Sequence, residues 1–217
     1  MHELGFLAPS PRLAGNWCRA SLLSSSVLEA VSFVTPTLES FFMRTVAQVA
    51  ATQAPGGARN LARIFIREEA SHSASHRRLN DALRQHLGGV PPGLDAIDAL
   101  LDWTERHMSL HARLVLVDFM ERGSEVLSRA YLDREAAWSF ECAFARRLFA
   151  LHASEELRHG GFIAELWGPE RGQGKLLAFI ICAWATIGFG AAYLTLSVPW
   201  IMLRKRNGRP GRERNAS

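Results

Sequence analysis

The 217-residue chain has few cysteines and no motif built on them. Its three cysteines lie far apart without a Cys-x-x-Cys pair, which argues against zinc ribbons, thioredoxin-type sites and a disulfide framework. The first 15 residues lack a basic stretch followed by an apolar core, so they are not typical of a secretory signal. We therefore expect a cytoplasmic protein with free thiols: Cys18, and Cys142 and Cys182 in apolar, buried surroundings.

Strand signals and glycine-rich nucleotide motifs are also missing. No alternating apolar run is bounded by a hairpin dipeptide, and neither Gly-x-Gly-x-x-Gly nor Gly-x-Ser-x-Gly occurs. The net charge of +4 comes mostly from the end of the chain, where six basic residues lie between Arg204 and Arg214. This end effect does not indicate a nucleic-acid surface, and we expect no nucleic-acid partner.

Long segments rich in helix-forming residues are present between the prolines and glycines. They predict four long helices with short connections, which is typical of an antiparallel bundle. Pro36 suits a first helical turn, and Gly123 and Gly160–Gly161 are candidate weak points. The predicted helices run from about Pro36 to Thr52, Ala58 to His86, Leu94 to Ala130, and Asp133 to Trp167.

An uncharged segment of 28 residues, Leu176–Leu203, follows these helices. It exceeds the roughly 20 residues that span a bilayer, and the basic residues after it would suit a cytoplasmic flank. The segment is either a membrane-spanning or membrane-embedded helix, or a fifth helix that packs on the bundle or on another subunit. The predicted divisions are an N-terminal arm (1–35), a di-metal bundle (36–170), a hydrophobic helix (171–206) and a basic disordered tail (207–217).

A lone glutamate followed by a Glu-x-x-His motif occurs twice, each part on its own predicted helix. Because a Glu and a His three residues apart share one helix face, both can point at one ion. Four carboxylates and two imidazoles offset the charge of two cations in a bundle core, as in di-iron and di-manganese proteins. The alternative is a pair of surface Glu–His contacts. The six residues are Glu39, Glu69, His72, Glu121, Glu156 and His159.

Two further histidines extend these motifs. His152 lies one turn before Glu156 on the same face, so it is a candidate seventh ligand, or else a hydrogen-bond partner of a ligand. His76 lies one turn after the first motif and is a candidate catalytic residue that orients a ligand or transfers protons. Asn80 continues this polar stripe.

Other polar residues are weaker candidates. Glu68 and Glu155 lie about 100° away from the predicted ligand face, so we expect them to be exposed or salt-bridged. His107 and His111 are four residues apart, but a second metal site there would need carboxylates that the sequence does not obviously supply. We expect an ordinary, partly exposed pair.

Three stretches resemble the bacterial family described as predicted metal-dependent hydrolases, which is similar in turn to ferritin-like di-iron arylamine N-oxygenases. The resemblance covers about Trp17 to Leu203 and implies a ferritin-like four-helix bundle with a hydrophobic fifth helix near the C-terminus. The His-x-x-x-Glu-x-x-His helix of the oxygenases maps onto His152, Glu156 and His159. The stretches are Val31–Phe42, Ile66–Asn80 and Leu151–His159.

The sequence departs from the family pattern next to three glutamates. Leu38 replaces a glycine, and Glu68 replaces a glutamine. The family's Glu-His-x-Thr-Ala pattern is replaced by Glu-Arg-Gly-Ser-Glu, from Glu121 to Glu125. Because Glu125 lies one helical turn from Glu121, it could substitute for Glu121 or supplement it.

These residues predict two metal ions, iron or alternatively manganese, in an unsymmetrical site. The first functional hypothesis is an oxidoreductase that activates O2 or peroxide and uses an electron donor and a small organic, apolar or lipid-like substrate. The second is a hydrolase in which a metal-bound hydroxide attacks a carbonyl or phosphoryl centre. The third is a non-catalytic metal store or membrane-tethered scaffold. A homodimer and attachment to the inner membrane through residues 176–203 are further expectations.

Overall fold

The computed structural model describes residues 13, 17–19, 21–52, 56–133, 138–166 and 175–207. Within them the chain is all-α, and the β-structure is limited to one bridge between Cys18 and Phe140. Most of the predicted arm before residue 22 and the predicted tail from residue 208 lie outside the described residues. The helices are α1 (Leu22–Thr52), α2 (Gly56–Leu87), α3 (Leu94–His107), α4 (Leu110–Leu132), α5 (Ala143–Leu166) and α6 (Lys175–Asn207).

The bundle consists of two packed helix pairs, α1 with α2 and α4 with α5, and α2 also contacts α5. Two apolar clusters fill it. One contains Leu79 and Phe149, and the other contains Phe65 and Ile163. Along both α2 and α5, the Glu-x-x-His motif lies between residues of the two clusters. The motifs therefore meet in the interior.

The first helix begins at Leu22, so the prediction that it begins near Pro36 is wrong. Pro36 lies inside α1, where it lacks the amide hydrogen that would donate to the carbonyl of Ser32. Asn80 of α2 supplies a donor instead, because its Nδ2 lies 2.8 Å from that carbonyl oxygen. A side chain on the neighbouring helix thus satisfies the backbone, and part of the predicted arm is helical.

The predicted third helix is two helices, α3 and α4. The helical conformation is interrupted at Met108, which has an extended backbone. Ser109 then caps α4, because its side chain accepts a hydrogen bond from the amide of Ala112. Gly123 lies inside α4 without a break. The expected pair of His107 and His111 is therefore split between two helices.

The helix that carries the second motif, α5, begins at Ala143, later than predicted. The preceding segment pairs with the chain near Trp17, whose carbonyl accepts a hydrogen bond from the amide of Glu141. The helix continues through Gly160–Gly161 to Leu166, so these glycines do not end it. The Cys18 side chain is buried and that of Cys142 is partly exposed, while the side chain of Cys182 lies outside the described residues.

The C-terminal half of α6 packs on the bundle. The Tyr193 hydroxyl donates to the carbonyl of Ala30 at 2.8 Å, and Lys205 Nζ lies 2.7 Å from the buried carboxylate of Glu29. The helix continues through Pro199. This packing fits the expected alternative of a fifth long helix on the bundle.

The middle of α6 is exposed. Trp184 and Ile187 are 74% and 57% exposed, respectively. The stretch Trp184–Asn207 is long and apolar enough to cross a membrane, a test that core helices of soluble proteins also pass. The exposed face is therefore weak evidence for contact with a membrane.

Candidate metal centre

All seven side chains that the sequence predicts as metal ligands converge in the bundle interior. Six of them are at most 3% exposed, and the side chain of His152 is 15% exposed. They come from α1, α2, α4 and α5, whose pairing brings distant motifs together. The residues are Glu39 from α1, Glu69 and His72 from α2, Glu121 from α4, and His152, Glu156 and His159 from α5.

The seven side chains form two groups that could each hold an ion. Glu39, His72 and His152 form one group, and Glu69, Glu156 and His159 form the other, with potential ligand atoms within 4.8 Å of one another in each. Glu156 lies between the groups, since its Oε1 is 3.7 Å from His72 Nδ1 and 3.3 Å from His159 Nδ1. The two groups differ in composition, as expected of an unsymmetrical site.

The lone glutamate of α4 lies beside the second group. Glu121 Oε2 is 3.6 Å from Nδ1 of His159. Glu125, the proposed substitute for Glu121, instead pairs with Arg129 at 3.0 Å on the helix surface. The geometry therefore favours Glu121 as the donor from α4.

Several buried atoms of this cluster have no hydrogen-bond partner within the described part of the chain. Both carboxylate oxygens of Glu39 and Glu121 are among them, as are Oε1 of Glu69 and Nδ1 of His72 and His159. Buried polar atoms are almost always satisfied, and buried anions need a counter-charge. Carboxylate oxygens and imidazole nitrogens with free lone pairs suit metal cations, so the residues present fit a metal pair.

The carboxylates of the cluster repel one another. Burial and the charges of Glu69, Glu156 and Glu121 raise the pKa of Glu39 well above its usual range. Burial also raises the pKa of Glu121 to about 8, opposed by the nearby His159 and assisted by the charges of Glu156 and Glu69. Within the described residues, the four carboxylates form ion pairs only with histidines. A cation between them would relieve this repulsion.

A family model described as "Predicted metal-dependent hydrolase" matches residues 4–213. The chain belongs to this family. No protein of curated function and no solved structure matches the chain significantly. The family description suggests a metal-dependent enzyme, and the two groups of potential ligands agree with it.

Two outer carboxylates hold the motif histidines of this family member in a reciprocal arrangement. Nε2 of His72 on α2 donates to Glu155 on α5 at 2.6 Å, and Nε2 of His159 on α5 donates to Glu68 on α2 at 3.0 Å. Both carboxylates also pair with Arg158. Each histidine is thereby turned so that Nδ1 faces the cluster, as second carboxylates orient metal-ligating histidines elsewhere.

The outer carboxylates were expected only as exposed or salt-bridged residues. Glu68 and Glu155 are half-buried, at 28% and 31% side-chain exposure, and their ion pairs with Arg158 agree with that expectation. Their bonds to the histidines were missed, because the helical angle places them off the ligand face of their own helices. The available signal was the repeat itself, which reads Glu-Glu-x-x-His both times.

The histidines and carboxylates of the centre also shift the pKa values of one another. Burial alone would lower the pKa of His72, but the hydrogen bond to Glu155 and the nearby carboxylate of Glu69 raise it to about 9. Burial would raise the pKa of Glu156, yet the nearby rings of His152 and His159 lower it. The charge of the cluster is thus distributed unevenly over the two motifs.

The predicted catalytic residue, His76, lies next to His152. His76 Nε2 is 2.8 Å from His152 Nδ1, and its Nδ1 is 2.9 Å from Ser32 Oγ. Burial and the neighbouring charges of His152 and His72 lower the pKa of His76 well below its usual range. Its position suits a residue that orients a ligand.

Proposed function

We propose that this family member is a dinuclear metalloenzyme that activates O2 or peroxide. The observation that carries the proposal is the donor set, which consists of four glutamates and three histidines in a buried bundle core. Such sets of oxygen and imidazole donors suit iron and manganese, and Glu plus Glu-x-x-His pairs hold both metals in ferritin-like bundles. We therefore propose a ferritin-like centre with two iron ions.

One ion would be held by Glu39, His72 and His152, and the other by Glu121 and His159, with Glu69 and Glu156 between them. When bound, a pair of iron ions supplies the redox chemistry needed to reduce oxygen. The buried donors limit the access of bulk water, which strengthens the electrostatic interactions inside the site. An external electron donor and a small organic or apolar substrate complete the proposed reaction.

The protein's own residues would keep the two ions inequivalent. One group of potential ligands has two histidines and one glutamate, whereas the other has one histidine and two glutamates. His152 brings the extra imidazole, and His76 contacts its far side. Unequal ions suit a site that performs chemistry better than one that only stores metal.

Hydrolysis is the alternative, and the family description favours it. A metal pair can activate water for attack on a carbonyl or phosphoryl centre. The carboxylate-rich donor set would also hold manganese or zinc. In this case the centre would need no electron donor.

The two proposals differ in their response to oxygen. The full chain is purified without oxygen, its metal content is measured, and Fe(II) is added before exposure to O2. We expect two iron ions per chain, consumption of O2 and a new ferric absorption. Tight binding of zinc or manganese without oxygen uptake, together with turnover of an ester or phosphoester, would support the hydrolase and overturn the oxidoreductase.

A double variant tests the metal centre itself. Glu69→Ala/Glu156→Ala removes the two carboxylates proposed to lie between the ions, so the stoichiometric metal should be lost. Glu125→Ala is the matched control, since Glu125 pairs with Arg129 on the surface. Unchanged metal content in the double variant contradicts a metal centre at these residues.

We also propose that α6 associates with a membrane through its exposed middle section. Among the large apolar side chains of α6 that the structure describes, those of Trp184 and Ile187 are the most exposed. Lipid contact would bury these side chains and bring the enzyme close to apolar substrates.

A further inference from the structure

A chain of hydrogen bonds leads from the backbone of α1 to the predicted ligand His152. It begins at the carbonyl of Ser32, which lacks its helical donor because Pro36 has no amide hydrogen. Asn80 Nδ2 donates to this carbonyl at 2.8 Å. A carbonyl oxygen can only accept, so the amide nitrogen of Asn80 must face it. This contact fixes the orientation of the Asn80 side chain.

The orientation of Asn80 determines the direction of the next bonds. Asn80 Oδ1 can only accept, so the single hydroxyl hydrogen of Ser32 points to it, at an oxygen–oxygen distance of 2.7 Å. The Ser32 oxygen must then accept from His76 Nδ1, which lies 2.9 Å away. His76 therefore carries a hydrogen on Nδ1.

The same reasoning extends to His152. With its hydrogen on Nδ1, a neutral His76 offers a lone pair at Nε2, and His152 Nδ1 donates to it at 2.8 Å. His152 Nε2 is the ring nitrogen that faces the cluster, 3.2 Å from Glu156 and 3.8 Å from Glu39. A metal ligand must present a lone pair at this atom, and hydrogen bonding at the other ring nitrogen selects that tautomer.

We propose that Asn80, Ser32 and His76 act as a one-directional chain that holds His152 in the tautomer able to bind metal through Nε2. The proposal rests on the proposed metal centre. It describes how the third histidine of that centre is held, which differs from how the other two are held. His72 and His159 present Nδ1 and are held by carboxylates, whereas His152 presents Nε2 and is held by neutral groups. Asn80, Ser32 and His76 are thus positioning residues, and Pro36 is the origin of the chain.

Zinc binding and histidine NMR test the proposed hydrogen-bond chain without any measurement of activity. Zinc(II) is titrated into the metal-free full chain, and nitrogen-15 spectra of labelled histidines report which ring nitrogen carries hydrogen. We expect His76 and His152 to be protonated at Nδ1 in the zinc-loaded protein. Ser32→Ala and Asn80→Leu should each weaken one of the two zinc positions about tenfold and leave the other unchanged. Ser32→Thr keeps the hydroxyl and should restore binding.

The matched control is Thr35→Ala. Thr35 is a buried residue on the same helix, but its hydroxyl donates to the carbonyl of Val31, which is not part of the hydrogen-bond chain. This variant should bind both zinc ions as the wild type does. Thermal unfolding is followed for every variant, so that loss of fold is distinguished from loss of one metal position.

Two results overturn the inference. One is wild-type affinity at both zinc positions in Ser32→Ala and Asn80→Leu. The other is a His76 protonated at Nε2 in the wild type, which can be measured with or without metal and needs no variant. A wild-type chain that binds no metal would instead overturn the proposed function, so the two failures are distinguishable.

Discussion

Glu68 and Glu155 are single residues on which the orientation of two histidines depends. Each accepts a hydrogen bond from a histidine of the other motif helix, and neither belongs to the inner cluster. The role of an outer carboxylate is to fix the ring and increase its basicity as a ligand. Its removal therefore acts on metal affinity more than on the fold.

We expect Glu155→Ala to weaken metal binding about tenfold, because His72 loses the partner that holds its ring. Isothermal titration of the metal-free protein with Fe(II) or Zn(II) measures the change. Glu125→Ala serves as the control, since Glu125 is exposed to a similar extent but pairs with Arg129 within its own helix. Equal affinities for the two variants would contradict the role assigned to Glu155.

The protonation of the cluster predicts how the metal-free protein responds to pH. The pKa of Glu121 is raised to about 8 and that of Glu39 is raised as well, so the folded state binds more protons than the unfolded chain above about pH 4.5. The raised pKa of His72, about 9, acts in the same direction. Stability is therefore lost as pH rises through these values.

We expect the melting temperature of the chelator-treated protein to fall between pH 6 and pH 9. A fall of about 2–4 °C would correspond to roughly 1 kcal/mol in a chain of this size. Metal ions replace the protons, so the metal-loaded protein should show a smaller dependence. Glu121→Gln keeps the shape without the charge and should flatten the metal-free profile. A metal-free melting temperature that rises over this range would contradict the assignment.

At the scale of helices, the junction between α3 and α6 depends on one glycine. Gly93 precedes α3 with a φ of +95°, which residues with a Cβ rarely adopt. A Cβ there would also lie 3.3 Å from Cδ2 of Tyr193, the α6 residue whose hydroxyl donates a hydrogen bond to α1. The turn and the packing of α6 therefore require glycine at the same position.

Two glycine substitutions should have opposite effects on stability. Gly93→Ala should lower the free energy of unfolding by about 1–3 kcal/mol because it strains the backbone and crowds Tyr193. Gly123→Ala should raise it by about 0.5–1 kcal/mol, since Gly123 lies inside α4 with open space around its missing Cβ. Urea unfolding of both variants measures the difference. A loss of stability in Gly123→Ala would show that α4 needs flexibility there.

Helix boundaries were predicted well where the stop signal was local. The end of α1 at Thr52 and both ends of α2 lie close to their predicted positions. The start of α1 could not be predicted, since the donor that compensates Pro36 belongs to another helix, 48 residues from the Ser32 carbonyl that it reaches. The break before α4 could have been found from Ser109, a good capping residue, although no proline or glycine marks it.

At the scale of the whole molecule, α6 combines a packed half with an exposed stretch. Removal of the helix would leave Glu29 buried without the charge of Lys205, so a truncation would confuse membrane attachment with loss of stability. Substitutions on the exposed face avoid this problem.

We expect Trp184→Gln/Ile187→Gln to shift the protein from the membrane fraction to the soluble fraction of a cell lysate. These side chains are the most exposed large apolar ones in the part of α6 whose side chains the structure describes, and polar replacements remove their transfer energy into lipid. Val126→Gln/Leu127→Gln on α4 is the control, since both side chains are 67% exposed. A wild-type protein found wholly in the soluble fraction would contradict membrane attachment.

The convergence of the predicted ligand residues follows from the sequence because helical periodicity puts Glu and His on one face, and burial then brings the faces together. Every member lies within the cluster, including Glu121, where the family pattern breaks. The outer shell could not be predicted in the same way. Glu68, Glu155 and Asn80 act on partners across the bundle, and their contacts depend on how α2 meets α1 and α5.

The reciprocal bonds between the two motifs have a consequence for the order of events in the cell. His72 and Glu155 are 83 residues apart in sequence, and Glu68 and His159 are 91 apart. Neither histidine is held in place until the two halves of the chain have docked, so the complete cluster of potential ligands forms only near the end of folding. The ion captured is then decided by which metals the compartment offers at that moment, because carboxylates and imidazoles alone discriminate weakly between divalent ions.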